Sequence, residues 1–228
     1  MSESNAQLII DTRLELDGDA GELLHAVGTA EALPGLSAVL AGRQKRLAGV
    51  DGLRTFLNSY VHEILLPVEL PTVLSAWEAA EEGHLRDLMR LDLRLCADTR
   101  LEPFRAASCA VGRRQLNKLR PLRDQRFVQR YRQAMEAGDA AAWHTIVYGI
   151  VLALYSLPLR DGLQHLALQT MAGFALNAAP EFGLRLNDCR DCLQDVAADL
   201  PDKVNGVLAN SKLASVNLFN GAQLKALP

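Results

Sequence analysis

From residue 53 onward, apolar side chains return at every third or fourth position, and this spacing constrains the fold more than any other feature. Leu53, Phe56, Leu57 and Tyr60 follow it, as do Leu74, Trp77 and Ala80, and again Leu85, Leu88, Leu91 and Leu95. Residues so spaced share one face of a helix, and that face must be buried. One stretch goes further. Between Thr145 and Leu157 the sequence is apolar nearly all round. It is shorter than the roughly 20 residues that cross a bilayer, so it predicts a helix enclosed by other helices. Gly149 and Ala153 within it are small, which lets neighbouring backbones come close.

The punctuation agrees with a helical chain. Asp51 is placed to cap a helix running to about Leu66, Pro67 and Pro71 to break the chain, and Gly83 to end the next helix. Gly138 stops a helix, Asp139 offers a cap for the central one, and Pro158 ends it; Asn187-Asp188 caps a later helix. Ile10, Thr12, Leu14 and Leu16 alternate with polar residues, which predicts a short strand or extended arm. The expected organisation is an all-α bundle of about nine or ten helices. An arm occupies residues 1–20, the helical domain residues 21–204, and a tail residues 205–228. The tail, rich in Asn, Ser, Gly and Ala, is expected to be ordered by a partner.

Of the 228 residues, 49% are hydrophobic, enough for one core, and the net charge of −3 selects no partner class. The charge is unevenly spread. Between Arg100 and Arg132 stand ten Lys or Arg against two acids, whereas the first 99 residues carry sixteen acids against eight Lys or Arg. Such a basic stretch is either a solvated helix face or a dock for an acidic partner. The N-terminus lacks the pattern of a secretory signal, and four cysteines are too few to staple a chain of this size, so a cytoplasmic location is expected.

Catalytic motifs are missing from the sequence. There is no GxxxxGK[ST], no GxGxxG after a strand, no HExxH, no GxSxG and no zinc-style pair of CxxC motifs. The histidines are scattered. Cys189 and Cys192 share a helix face and are the candidate metal ligands, with burial as small hydrophobes the plainer reading. No catalytic residue and no stably bound cofactor is expected.

Two segments carry a family likeness. Ala97 to Leu116 resembles the UreF signature T-x-E-x-R-x-A-S-x-x-x-G-x-x-L, most clearly at Arg105, Ser108, Gly112 and Leu116. From His144, the order His-x-x-Val-x-Gly, an apolar run, Leu157-Pro158-Leu159 and a small-residue-rich helix is similar to a second family segment. Leu33-Pro34 and Glu69-Leu70-Pro71 follow the family's order of parts. The resemblance covers about residues 22 to 200. It implies an all-α homodimer that catalyses nothing. Such proteins bind UreD (also called UreH) and the GTPase UreG, and the complex delivers nickel to apo-urease; no nucleic acid and no membrane enter.

By the same likeness, Arg105, Ser108, Arg113 and Asn187 are candidate partner contacts. Ala172, Gly173 and Leu176, on a small-residue helix expected over Leu159–Ala179, are candidates for the dimer interface. The departures from the family are charged. Lys45 stands where the family has Glu, and Glu181 where it has Lys or Arg. The framework matches, whereas the loops that would touch partners differ. Two alternatives therefore stay open: a relative with the same fold serving a different metalloenzyme, or a helical small-molecule or regulatory binding protein.

Overall fold

In the computed structural model, residues 49–119 and 126–220 are described, without the side chains of residues 176–178, 180, 181 and 211–220. The expected strand at Ile10–Leu16, Lys45 and the last residues of the tail lie outside them. Among the described residues there is no strand, and the fold is all-α.

The chain enters as α1 (Gly49–Tyr60), winds through a π-helical segment (Val61–Glu69), and continues without interruption into α2 (Leu70–Glu81). Then follow α3 (Leu85–Ala97), a single 3-10 turn (Thr99–Leu101), α4 (Glu102–Lys118) and α5 (Arg126–Ala137). After them come α6 (His144–Leu154), α7 (Leu159–Glu181), α8 (Leu186–Ala197) and α9 (Leu200–Asn220).

Helix α6 is the hub. Every residue from His144 to Leu152 is buried, and the helix packs most extensively on α2 and next on α4. Gly149 explains the closeness of the first contact. A Cβ placed there would stand 2.5 Å from the carbonyl oxygen of Val73 and 2.8 Å from Cβ of Ala76. Backbone meets backbone at that point, and only a glycine fits. Two apolar clusters flank the α2–α6 contact. One gathers α1, α7 and α8 with the start of α9, around Leu57, Phe174 and Leu193. The other gathers α3, α4, α5 and α6, around Leu88, Leu116 and Ile146.

Several sequence expectations shift. The central helix begins at His144, not Asp139, and ends at Leu154, not Leu157. Its early end is closed by Leu157 N–H donating to Leu152 O at 2.9 Å, with Ser156 in the left-handed region. Pro67 does not break the chain: the wider turn of the π-helix, closed by Leu70 N–H donating to Leu65 O, accommodates a residue with no N–H. Pro71 does not break the chain either: it sits in the first turn of α2, directly after the π-helical segment, and the helix runs on through it. Asp51 lies inside the first turn of α1 and does not cap it. Arg185, rather than Asn187-Asp188, occupies the cap position of α8. Gly83 does end α2, through His84 N–H on Ala79 O at 2.8 Å, and Gly138 closes α5 in the same way. The tail is not a separate element at 205: α9 runs through that boundary to Asn220.

Candidate functional site at the joint of α3, α4 and α6

Both signature segments converge on one place. Residues 139–143 precede α6 as irregular, non-helical chain, and three side chains fasten them and His144. Asp92 of α3 accepts the N–H of Ala142 through Oδ2 at 3.1 Å. Arg113 of α4 donates from Nε to the carbonyl of Ala141 at 3.3 Å. Ser108 of α4 accepts the N–H of His144 at 3.2 Å and lies 2.7 Å from that residue's Nδ1. Alanines favour helix, yet these bonds draw Ala140–Ala142 out of it. Ala142 is held at φ 60, a conformation that costs an L-residue about 1–2 kcal/mol.

Gly112 permits the approach. A Cβ there would stand 2.0 Å from the carbonyl oxygen of Ala142 and 2.9 Å from the amide nitrogen of His144. The signature serine and glycine, one turn apart on α4, thus face the same backbone. Arg105, a further turn back, donates from Nη2 to the carbonyl of Cys96 at the end of α3 and ties α3 to α4. Trp143 adds a contact from Nε1 to Sγ of Cys96 at 3.3 Å.

The electrostatics are those of a dry interior. Tyr131 of α5 donates to Oδ2 of Asp92 at 2.6 Å, while Oδ1 has no partner among the described residues. Burial raises the Asp92 carboxyl above its ordinary range, and the bonds from Tyr131, Ala142 and Ala141 act against that rise. Burial pushes the Cys109 thiol up to about 11, with Asp92 and Cys96 adding to it. His144 is pushed down to about 4 by burial alone, so it is neutral near pH 7. Ser108 is 1% exposed and His144 2%. A serine–histidine pair closed to solvent offers no nucleophile to a substrate; it is a fastening.

A second buried acid stands across α2. Glu69, the last residue of the π-helical segment, accepts a short hydrogen bond from the hydroxyl of Tyr60. Burial pushes its carboxyl up to about 7 against the opposing effect of that bond. The Tyr60 ring stacks on Phe56, meets Phe174 edge-on and lies tilted against Phe104.

The other expected residues are dispersed. Arg113 is exposed and Arg105 half-buried, but Ser108 is interior, so its hydroxyl is no surface contact. Asn187 is exposed in the first turn of α8. Glu181 closes α7, and its side chain and that of Leu176 lie outside the described residues. Ala172 and Gly173 are covered by the chain's own helices, so the small-residue face of α7 is already occupied. Cys189 and Cys192 are free thiols packed inside the first cluster, and burial raises both. Among the described residues no group of three or more His, Cys, Asp or Glu is arranged to hold a metal ion. No described helix is long and apolar enough to cross a membrane. Sequence reasoning missed Asp92 and Tyr131. Asp92 was legible as a charge on an apolar stripe, four residues after Leu88 and three before Leu95.

These features define an all-helical protein in which the signature residues build a backbone-to-backbone joint instead of an open catalytic cleft. The sequence profile of UreF matches residues 47–179, more than half of the chain, and the chain belongs to the UreF family. It is similar to the urease accessory protein UreF of Sporosarcina pasteurii, with 23% identity over 146 residues, covering 64% of this chain and 72% of that protein. Both signature segments fall inside the matched region, while α8 and α9 follow it.

Proposed function

We propose that this chain is a urease accessory protein that works as a scaffold, without turnover of its own, in the assembly that delivers nickel to apo-urease. Its partners in this reading are a UreD/UreH-type protein, a UreG-type GTPase and apo-urease, and it acts as a cytoplasmic homodimer. Nickel passes through the complex as cargo and has no resident site on this chain. The family match carries the reading. The placement of Arg105, Ser108, Gly112 and His144 supports it. Residues that look like a functional signature are spent on holding helices together, which suits a protein that presents surfaces.

The test is complementation. In cells whose own UreF is deleted, this chain together with its native UreD/UreH and UreG partners is expected to restore urease activity and the nickel content of purified urease. Recovery of neither, with the chain soluble and folded, would overturn the proposal.

A second reading rests on Glu181, which stands where the family has a basic residue. In it, the same scaffold serves a different metalloenzyme. Affinity purification from native cells separates the two: urease subunits and a UreG-type GTPase support the first, and another metalloenzyme's maturation proteins support the second.

A further inference from the structure

Ala172 and Gly173 are covered within the chain, so a homodimer needs a surface other than that face of α7. Away from the joint, a cleft of about 190 Å³ opens where the C-terminal ends of α2 and α6 meet the N-terminal end of α5. Val128 and Ile150 in its lining are buried, whereas Phe127, Ala153 and Leu154 are half-buried. Tyr155 follows Leu154 on the surface at 37% exposure. Its backbone is fixed: the Tyr155 N–H donates to Val151 O at 3.1 Å, and Ser156 turns the chain through the left-handed region at φ 51. A large ring is thus held out on a closed turn beside an apolar recess, as the centre of an interface requires.

The two rims of the cleft balance in number and differ in sign. On the α5 side stand Arg126 and Arg130, one turn apart and both exposed; on the α2 side stand Glu81 and Glu82, both exposed. Each set is placed against the dipole of its own helix. Arg126 opens α5, where free N–H groups are already positive, and Glu81 closes α2, where free carbonyls are already negative. Among the described residues, Arg126, Arg130 and Glu81 form no ion pair, while Glu82 is met by Nδ1 of His84 at 2.9 Å. Charges that disfavour their own helix ends are relieved by opposite charges from outside.

A segment of either sign alone would meet like charge on one rim. A second copy of this chain does not. A two-fold axis running along the cleft, between its rims, lays the basic rim of each copy over the acidic rim of the other. We infer that this cleft is the two-fold contact of the homodimer: Arg126 and Arg130 of each copy face Glu81 and Glu82 of its partner, and both Tyr155 rings are buried at the apolar centre. The inference rests on the homodimer in the proposed function and assigns its surface.

The test is sedimentation of the full chain and of two charge variants. Arg126→Glu with Arg130→Glu makes both rims acidic, and Glu81→Lys with Glu82→Lys makes both basic. Each change gives its helix end the sign that the dipole favours, so both variants should keep the parent's circular dichroism. Alone, each should dissociate at least about tenfold more readily than the parent dimer. Mixed in equal amounts, they should form a one-to-one heterodimer, because every facing set is again opposite in sign. Tyr155→Ala should weaken the dimer about tenfold with its circular dichroism unchanged. A mixture that stays monomeric, or a dimer as tight as the parent's in any of the three variants, overturns the inference and leaves the homodimer standing. A parent chain that sediments as a monomer at micromolar concentration overturns the homodimer and this inference together, and the complementation assay then judges the accessory function by itself.

Discussion

Ser108 and His144, separated by 36 residues in sequence, share two contacts: Oγ to Nδ1 at 2.7 Å, and the His144 N–H to Oγ at 3.2 Å. One hydroxyl thereby fixes both the ring and the first backbone donor of the central helix. Ser108→Ala leaves a buried N–H and a ring nitrogen without partners. The expected loss is about 1–3 kcal/mol in denaturant unfolding. Ser108→Ala as stable as the parent would mean that the pair contributes nothing to the fold.

The glycines predict a contrast. Gly112→Ala puts a methyl group onto the Ala142 carbonyl, and Gly149→Leu drives a side chain into the Val73 backbone. Each should cost about 1–3 kcal/mol or more, because the obstacle is backbone and cannot swing aside. Gly206 is exposed in α9 with nothing near its missing Cβ. Gly206→Ala should stabilise by about 0.5–1 kcal/mol through helix propensity. Melting curves of the three variants decide the order.

Two buried groups give opposing pH dependences. The Glu69 carboxyl is held near 7 in the fold against an ordinary 4.5. Its contribution is complete below about pH 4.5 and fades as pH rises toward 7. His144 is held near 4 against an ordinary 6.5. Its contribution is complete above about pH 6.5 and fades as pH falls toward 4. Each amounts to no more than about 3 kcal/mol. In the parent the two slopes offset one another between about pH 4.5 and 6.5. Glu69→Gln should unmask a stability that drops with acid, and His144→Gln one that drops as pH rises. Parallel pH profiles for both variants would refute the assignment.

Ala172 is interior, so Ala172→Arg is expected to unfold the chain before it could separate two copies. A soluble, folded Ala172→Arg monomer, seen by circular dichroism and sedimentation, would show that α7 presents this face after all.

Cys109, Cys189 and Cys192 should resist alkylation at pH 8 in the native protein and react quickly in denaturant. Their thiols are buried and their ionisation is pushed up. Fast labelling of Cys189 and Cys192 without unfolding would return them to consideration as ligands.

The central helix was readable because its apolar circumference leaves it no stable place on a surface. Its start was not. Ala140–Ala142 favour helix by local propensity, and what removes them from it is Asp92, some 50 residues away. Prolines misled for a related reason: Pro67 is a breaker in an α-helix, and nothing local announces a π-helical turn wide enough to take it. The family signature was visible as a string, but its meaning as a joint needed two segments brought together in space. The small residues of α7 suggested an open face; α1, α2, α8 and α9 all pack on that helix.

The non-helical stretch before α6 also bears on time. Its peptide groups are gripped from α3 and α4 together, so the grip has no half-made form and forms only once a chain loop of some 50 residues has closed. Such a fastening belongs after the rate-limiting step of folding, when the helices it joins have already met. Weakening it through Ser108→Ala should then quicken unfolding and leave the refolding rate nearly as it was. In the scaffold role proposed above, this late clasp sets how long the surfaces keep their register.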